Sequence, residues 1–181
     1  MTSTRDRPAA GAPVEVRPER LDDVPAIRRV NEEAFGRPDE ADLVDLLRER
    51  GKAVRSLVAV SEDRVVGHVL FTAVTIEASG RVTPALGLGP MSVLPSHQGR
   101  GIGSLLVRTG LAACHDAGHG CVVVVGHPEY YPRFGFVPAR RYGVAWEHPV
   151  PDEAFMLVEL RPDALATFGG IARYQPEFGG V

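Results

Sequence analysis

Apolar positions along this chain recur at two spacings, and each change of spacing marks an element. Val14 to Arg17 reads as a short opening strand. Val24, Ile27, Val30 or Asn31, and Ala34 then fall every three to four residues, the stripe of a helix that Asp22 or Asp23 can cap and Gly36 ends. A second helix is predicted from about Glu40 to Arg50, with Leu43, Leu46 and Leu47 inward and Gly51 as its stop. Strand signals follow. Ser56 to Val60 is short and apolar, Glu62-Asp63-Arg64 turns the chain, and Val65 to Ile76 is a long β-branched run before a reversal at Ser79-Gly80.

Leu86 to Val93 is the next expected strand, stopped by Pro95. A helix is expected from Gly101 to about Ala117, with Ile102, Leu105/Leu106, Thr109 and Ala112/Ala113 at helical spacing and Gly118 at its end. Cys121 to Val125 is apolar at every position, which suits a strand covered on both faces. Gly126-His127-Pro128 breaks it, Pro128 can start a short helix that Gly135 ends, and Phe155 to Leu160 supplies a late strand. The plan is two helices, a mostly antiparallel run of strands, then a parallel β-α-β step. The expected organisation is a disordered tail over 1–12 and one domain over 13–181, with 161–181 as a C-terminal extension packed on it.

Composition narrows the function. The hydrophobic fraction of 44% and charged fraction of 24% are those of a soluble globular protein. A net charge of -3 argues against binding nucleic acid, which needs dense positive charge facing phosphates. No apolar run approaches the ~18 residues of a membrane span, and the opening residues lack the charged-then-apolar plan of a secretion signal. Two cysteines make no disulfide framework, so a reduced, cytoplasmic setting is expected. Cys114, His115, His119 and Cys121 lie close together, yet a helix end, a turn and a strand would scatter them; no metal site is expected.

The informative stretch is Met91-Ser92-Val93-Leu94-Pro95-Ser96-His97-Gln98-Gly99-Arg100-Gly101-Ile102-Gly103-Ser104, which joins a strand end to a helix start. Glycines there let the main chain come close to a ligand and aim its N–H groups at one point. The first turn of a helix adds unpartnered N–H groups and a partial positive charge, together a seat for a pyrophosphate with Arg100 as a cationic partner. Spacing alone is equally compatible with a tight strand-to-helix turn and nothing more. A nucleotide P-loop lacks its Gly-Lys-Ser/Thr, and no G-x-G-x-x-G stands in register for a dinucleotide fold.

Val93 to Gly103 resembles motif A of the GNAT N-acetyltransferases, Gln/Arg-x-x-Gly-x-Gly/Ala. Downstream, Tyr131-Pro132-Arg133-Phe134-Gly135-Phe136 is similar to the family's Tyr-x-x-x-Gly-Phe segment. Gly67 to Phe71, Gly126 to Tyr131, and Phe168-Gly169-Gly170 through Tyr174 and Phe178 resemble its bacterial YhbS-like branch. The resemblance covers nearly everything after Val14. It implies an α/β fold (α+β by some schemes), a central twisted mixed sheet of six or seven strands flanked by about four helices. It also implies two strands, Leu86 to Val93 and Cys121 to Val125, that splay to hold the pantetheine arm of acetyl-CoA. Main-chain groups of Met91, Ser92 and Val93 would pair with that arm as another strand would. Gln98, Gly99, Arg100, Gly101, Ile102, Gly103 and Ser104 would take the pyrophosphate. Such relatives often pair their sheets, so a homodimer is compatible with the resemblance.

Acetyl transfer to an amine needs a deprotonated nucleophile, a polarised carbonyl and a proton for the departing thiolate. Tyr131 sits four residues before Gly135, as the family's acid tyrosine does, and is the expected proton donor; packing between helix and sheet is the other use of such a residue. A main-chain N–H, that of Val93 for instance, can polarise the carbonyl. Many relatives carry a glutamate in the fourth strand as base, whereas Leu86-Gly87-Leu88-Gly89-Pro90-Met91-Ser92-Val93 contains no carboxylate. His127 is a candidate to contact CoA or relay a proton, or equally to cap the following helix. Glu33 is a further base candidate, and Asp152 and Glu153 are either a seat for a cationic acceptor or solvated surface acids. The expectation is an N-acetyltransferase acting directly on a small-molecule or peptide amine, with a non-catalytic acyl-CoA-binding module as the alternative.

Overall fold

The computed structural model describes residues 13–164 and 169–180; the expected tail over 1–12 lies outside them, as does Phe168. The elements run β1 (Val14–Pro18), α1 (Val24–Phe35), α2 (Asp39–Glu49), β2 (Ala53–Ser61), β3 (Arg64–Ala78), β4 (Arg81–Val93), α3 (Ile102–Asp116), β5 (Cys121–Val125), β6 (Val137–Pro138), β7 (Val144–Trp146), β8 (Phe155–Glu159) and β9 (Gly170–Arg173). One nine-stranded mixed sheet runs β1-β2-β3-β4-β5-β8-β6, with β9 set against β3 and β7. Strands β4 and β5 pair in parallel, joined through α3.

Period-2 alternation splits the sheet between two layers. On β3, Gly67 and Phe71 face α3: a methyl group at Gly67 would meet Leu106 and Ile102, and Phe71 lies against Gly110. His68, one position along, faces α1 and touches Asn31. The solid apolar run of β5 follows from this layering. Val122 and Val124 join the helix-covered core, while Cys121 and Val123 join a second cluster with Val74, Val144, Phe155 and Ala172.

The sheet carries nine strands where the resemblance implies six or seven, because β6, β7 and β9 are short and take their form from pairing. Strand β9 fills the edge of β3 over Thr75–Glu77, beyond the end of β2, and β7 adds alongside it. Strand β4 starts five residues before the expected Leu86. The reversal at Ser79-Gly80 is a two-residue turn, so pairing resumes at once with Ala78 opposite Arg81. Among the described residues there are three α-helices. The helix expected from Pro128 is a single 3-10 turn, Tyr131–Phe134, since the Tyr130 and Tyr131 N–H groups both turn back to the His127 carbonyl first. Asp23 occupies the N-cap position of α1 without capping it; its carboxylate instead accepts from Arg17 and from the Arg20 N–H.

Candidate functional site

Strands β4 and β5 are paired only at Leu86–Val122 and Gly87–Val123, and beyond Gly87 they part. The cause lies in β4. Between Leu88 and Met91 its register against β3 slips by a bulge that contains Gly89 and Pro90, and Pro90 has no N–H to give a neighbour. The opening leads into a cavity of about 860 Å³, within the size range of ligand sites. It runs from the start of α3, past the ends of β4 and β5, to a wall made by the α1–α2 corner, Trp146, Tyr174 and Phe178.

At one end lies the glycine turn. Gly99 and Gly101 have φ of +73° and +82°, in the left-handed region, and Gly101 is the residue preceding α3. The Leu105 N–H is bonded to the Gly101 carbonyl, but among the described residues no group accepts from the N–H groups of Gly99 through Ser104. These amides are open to a ligand, and the surroundings suit an anion: no acidic residue stands in the first turn of α3. Gly99, Gly101, Gly103 and Ser104 line the cavity. Ile102 also borders the cavity, although its side chain packs largely into the core. Arg100 is exposed and is not part of the cavity wall. Gln98 donates from Nε2 to the Val93 carbonyl at 3.0 Å, so its side chain clips the turn to the end of β4. Met91, Ser92 and Val93 all border the cavity, and the buried Ser92 Oγ has no partner among the described residues.

The paired tyrosines separate. Tyr130 turns toward the glycine turn, where a methyl group at Gly103 would fall 2.8 Å from its hydroxyl, and the Arg133 guanidinium covers its ring at 4.7 Å. Tyr131 is buried beside the end of β5, with edge contacts to Tyr130, Phe134 and Phe136, and borders the same cavity. Burial, with a smaller effect of Tyr130, pushes its phenol well above the usual range. A tyrosine so placed stays protonated and acts as a hydrogen-bond donor. His127 stands exposed at the rim; its carbonyl takes the turn's N–H groups, and its ring has no described partner.

The carboxylates singled out by sequence lie elsewhere. Glu33 pairs with Arg29 on the outside of α1, Asp152 pairs with Arg140 on the surface, and neither they nor Glu153 borders the cavity. Among the described residues the cavity's carboxylate is Glu40 at the start of α2, mostly buried and held by Arg37 at 2.5 Å. No sequence signal marked it, since a glutamate in the first turn of a helix is ordinary there. The first two helices and the C-terminal segment were expected to enclose an acceptor pocket, but Tyr174 and Trp146 were not singled out as its wall residues. Cys114 and Cys121 are buried in the core away from the cavity, and burial pushes both thiols up to about 11. No cluster of metal-binding side chains exists among the described residues.

A polar chain, buried at Asn31 and His68 and partly buried beyond them, ties α1 and α2 to the sheet. Asn31 donates from Nδ2 to the Ile27 carbonyl and faces His68 Nδ1 at 3.3 Å, so Nδ1 is the acceptor nitrogen. His68 Nε2 then donates to Ser56 Oγ at 2.9 Å, and Ser56 donates in turn to Glu19, which also receives Arg48 at 2.9 and 3.0 Å. Desolvation lowers the His68 pKa to about 4, so the ring is neutral at physiological pH.

Comparison with known proteins places this geometry. The chain matches the Acetyltransferase (GNAT) domain family over residues 15–139. It is 37% identical over 165 residues to the uncharacterized N-acetyltransferase YjhQ of Escherichia coli K12, covering 88% of this chain and 91% of that one. It is 32% identical over 157 residues to the uncharacterized N-acetyltransferase YhbS of the same organism, covering 86% and 93%. Among solved structures, the YhbS N-acetyltransferase from Escherichia coli in complex with CoA superposes with a TM-score of 0.89 at 30% identity, over 96% of each chain. A GNAT family acetyltransferase from Brucella melitensis in complex with acetyl-CoA gives 0.76 at 35% identity, over 92% of this chain and 99% of that one.

Proposed function

The chain belongs to the GNAT acetyltransferase family, and from that premise we propose that it transfers the acetyl group of acetyl-CoA directly to a primary amine, with donor and acceptor held together in one cavity. The observation that carries the reading is the row of unbonded N–H groups from Gly99 to Ser104 at the mouth of the β4–β5 split. Two relatives with this fold are seen with CoA or acetyl-CoA bound. A diphosphate suits these amides, and an extended pantetheine suits the open edges of β4 and β5. What acetyl-CoA supplies is a thioester whose C–S bond is exchanged for a C–N bond to the amine.

The chain's own residues then have separable tasks. The Gly99–Ser104 amides bind the anionic end, and Gln98 holds the turn in place by its bond to Val93. Met91 and Val93 orient the arm through their main chain. Tyr131 keeps a proton at its hydroxyl and donates a hydrogen bond to the departing sulfur. A CoA thiol has a pKa of about 8.5, below that of this phenol, so placement and hydrogen bonding carry the effect rather than acidity. His127, at the solvent rim, carries the amine's proton outward. Neither cysteine borders the cavity, which supports direct transfer over an acyl-cysteine route.

The test has two stages. Calorimetry with CoA and acetyl-CoA measures binding, and thiol release with a panel of primary amines measures transfer. Tight binding with no thiol release from any amine supports the second reading, a non-catalytic acyl-CoA sensor, which the lack of a carboxylate on inner β4 favours. No binding of either compound removes both readings.

A further inference from the structure

Tyr174 is a third phenol bordering the cavity, after Tyr130 and Tyr131, and it comes from the far end of the chain. It follows β9, and the Gln175 side chain, donating from Nε2 to the Ala73 carbonyl at 2.7 Å, holds the segment against β3. Its ring lies on Gly87, where a methyl group would fall 2.6 Å from Cε1. Gly87 is the last β4 residue paired with β5, so the ring covers the closed end of the split. Trp146 and Phe178 pack edge-on against the ring and fix it. Its hydroxyl is buried and has no hydrogen-bond partner among the described residues, although the residue borders the cavity. An unpaired buried hydroxyl is costly, and here the group able to relieve it must arrive through the cavity.

Resting on the function proposed above, we propose that Tyr174 is an acyl-recognition residue whose hydroxyl hydrogen-bonds the acyl group of the bound thioester. An arm that enters the split beside the glycine turn and runs between the strands ends at the Gly87–Val123 pair, and its terminal acyl portion is what reaches the Tyr174 hydroxyl. The two phenols then divide the work. Tyr131, beside β5, serves the sulfur, and Tyr174, over β4, serves the acyl group. Burial and the nearby Tyr131 phenol raise the Tyr174 pKa above its ordinary value, so its hydroxyl is a donor throughout the working range.

The experiment is calorimetry of Tyr174→Phe with acetyl-CoA and, separately, with CoA, which lacks the acyl group. The variant removes one oxygen and keeps the ring on Gly87. The expected result is about 3- to 10-fold weaker acetyl-CoA binding, the range of one hydrogen bond, with CoA affinity within about 2-fold of wild type. Gly87→Ala, which pushes the ring off its seat, should give the same selective loss. If Tyr174→Phe weakens both compounds alike, or neither, Tyr174 is a wall residue and the inference fails while the cofactor reading stands. Wild-type protein that binds neither compound overturns that reading and this inference with it.

Discussion

Tyr131 rests its ring on Gly126: a methyl group at position 126 would fall 2.9 Å from Cδ2 and nearer still to Cε2. Gly126, which follows β5, thereby sets where the Tyr131 phenol stands. Gly126→Ala should displace the ring and lower turnover by roughly 10²-fold, the scale for losing one transition-state donor, while acetyl-CoA affinity changes by less than about 3-fold. Tyr131→Phe should give the same split. Steady-state rates beside calorimetry decide it; matching losses in rate and affinity would contradict the donor role.

Gly101 precedes α3 with a φ of +82°, and the space beyond its missing Cβ is open. Gly101→Glu should abolish CoA binding, a loss of at least about 10²-fold, because bulk and negative charge enter the anion seat. Gly101→Ala carries the same backbone strain, about 1–2 kcal/mol, without the charge, and separates the two effects. Affinity surviving the glutamate would place the diphosphate elsewhere.

His68 makes stability depend on pH. Its folded pKa of about 4 lies below its unfolded value of 6.5, chiefly through desolvation, so the unfolded chain takes up a proton the folded one refuses. The contribution is fully present above pH 6.5 and is lost as pH falls toward 4, an effect on the order of 3 kcal/mol. Urea unfolding at several pH values should show this slope in the wild type and a flatter one in His68→Gln. Equal slopes would mean His68 titrates normally.

Gly110 in α3 faces the buried Phe71 ring, and a Cβ there would lie 2.5 Å from Cζ. Helix propensity alone favours Gly110→Ala by about 1 kcal/mol. Overpacking against a ring with no room to move costs about 1–3 kcal/mol, so net destabilisation is expected. A raised melting temperature would show that α3 shifts freely over the sheet.

Much of this was visible in the residues themselves. The stripe of α1, the β3 run, the all-apolar β5 and the stops at Gly36, Gly51 and Gly135 were local statements about periodicity and turn chemistry, and they reappear in the structure within a few residues. The glycine turn was legible for the same reason, since the need for positive φ and open N–H groups is written in consecutive residues. Strands β6, β7 and β9 were not legible. Two to four residues carry no periodicity, and their strand form comes from partners far along the chain. The same holds for the carboxylate: Glu33, Asp152 and Glu153 stood out by position in the sequence, whereas Glu40 reached the cavity because α1 and α2 meet at a corner.

The family, the order of the main elements and the glycine turn before α3 were thus carried by the sequence alone, because each depends on contacts between near neighbours in the chain. The tertiary structure decided which residues line the far end of the cavity. A bulge had to part β4 from β5, and Tyr174 had to be carried back by β9 pairing to reach Gly87, some ninety positions earlier. Contacts at that separation are chosen by packing against the whole sheet, and no local pattern encodes them.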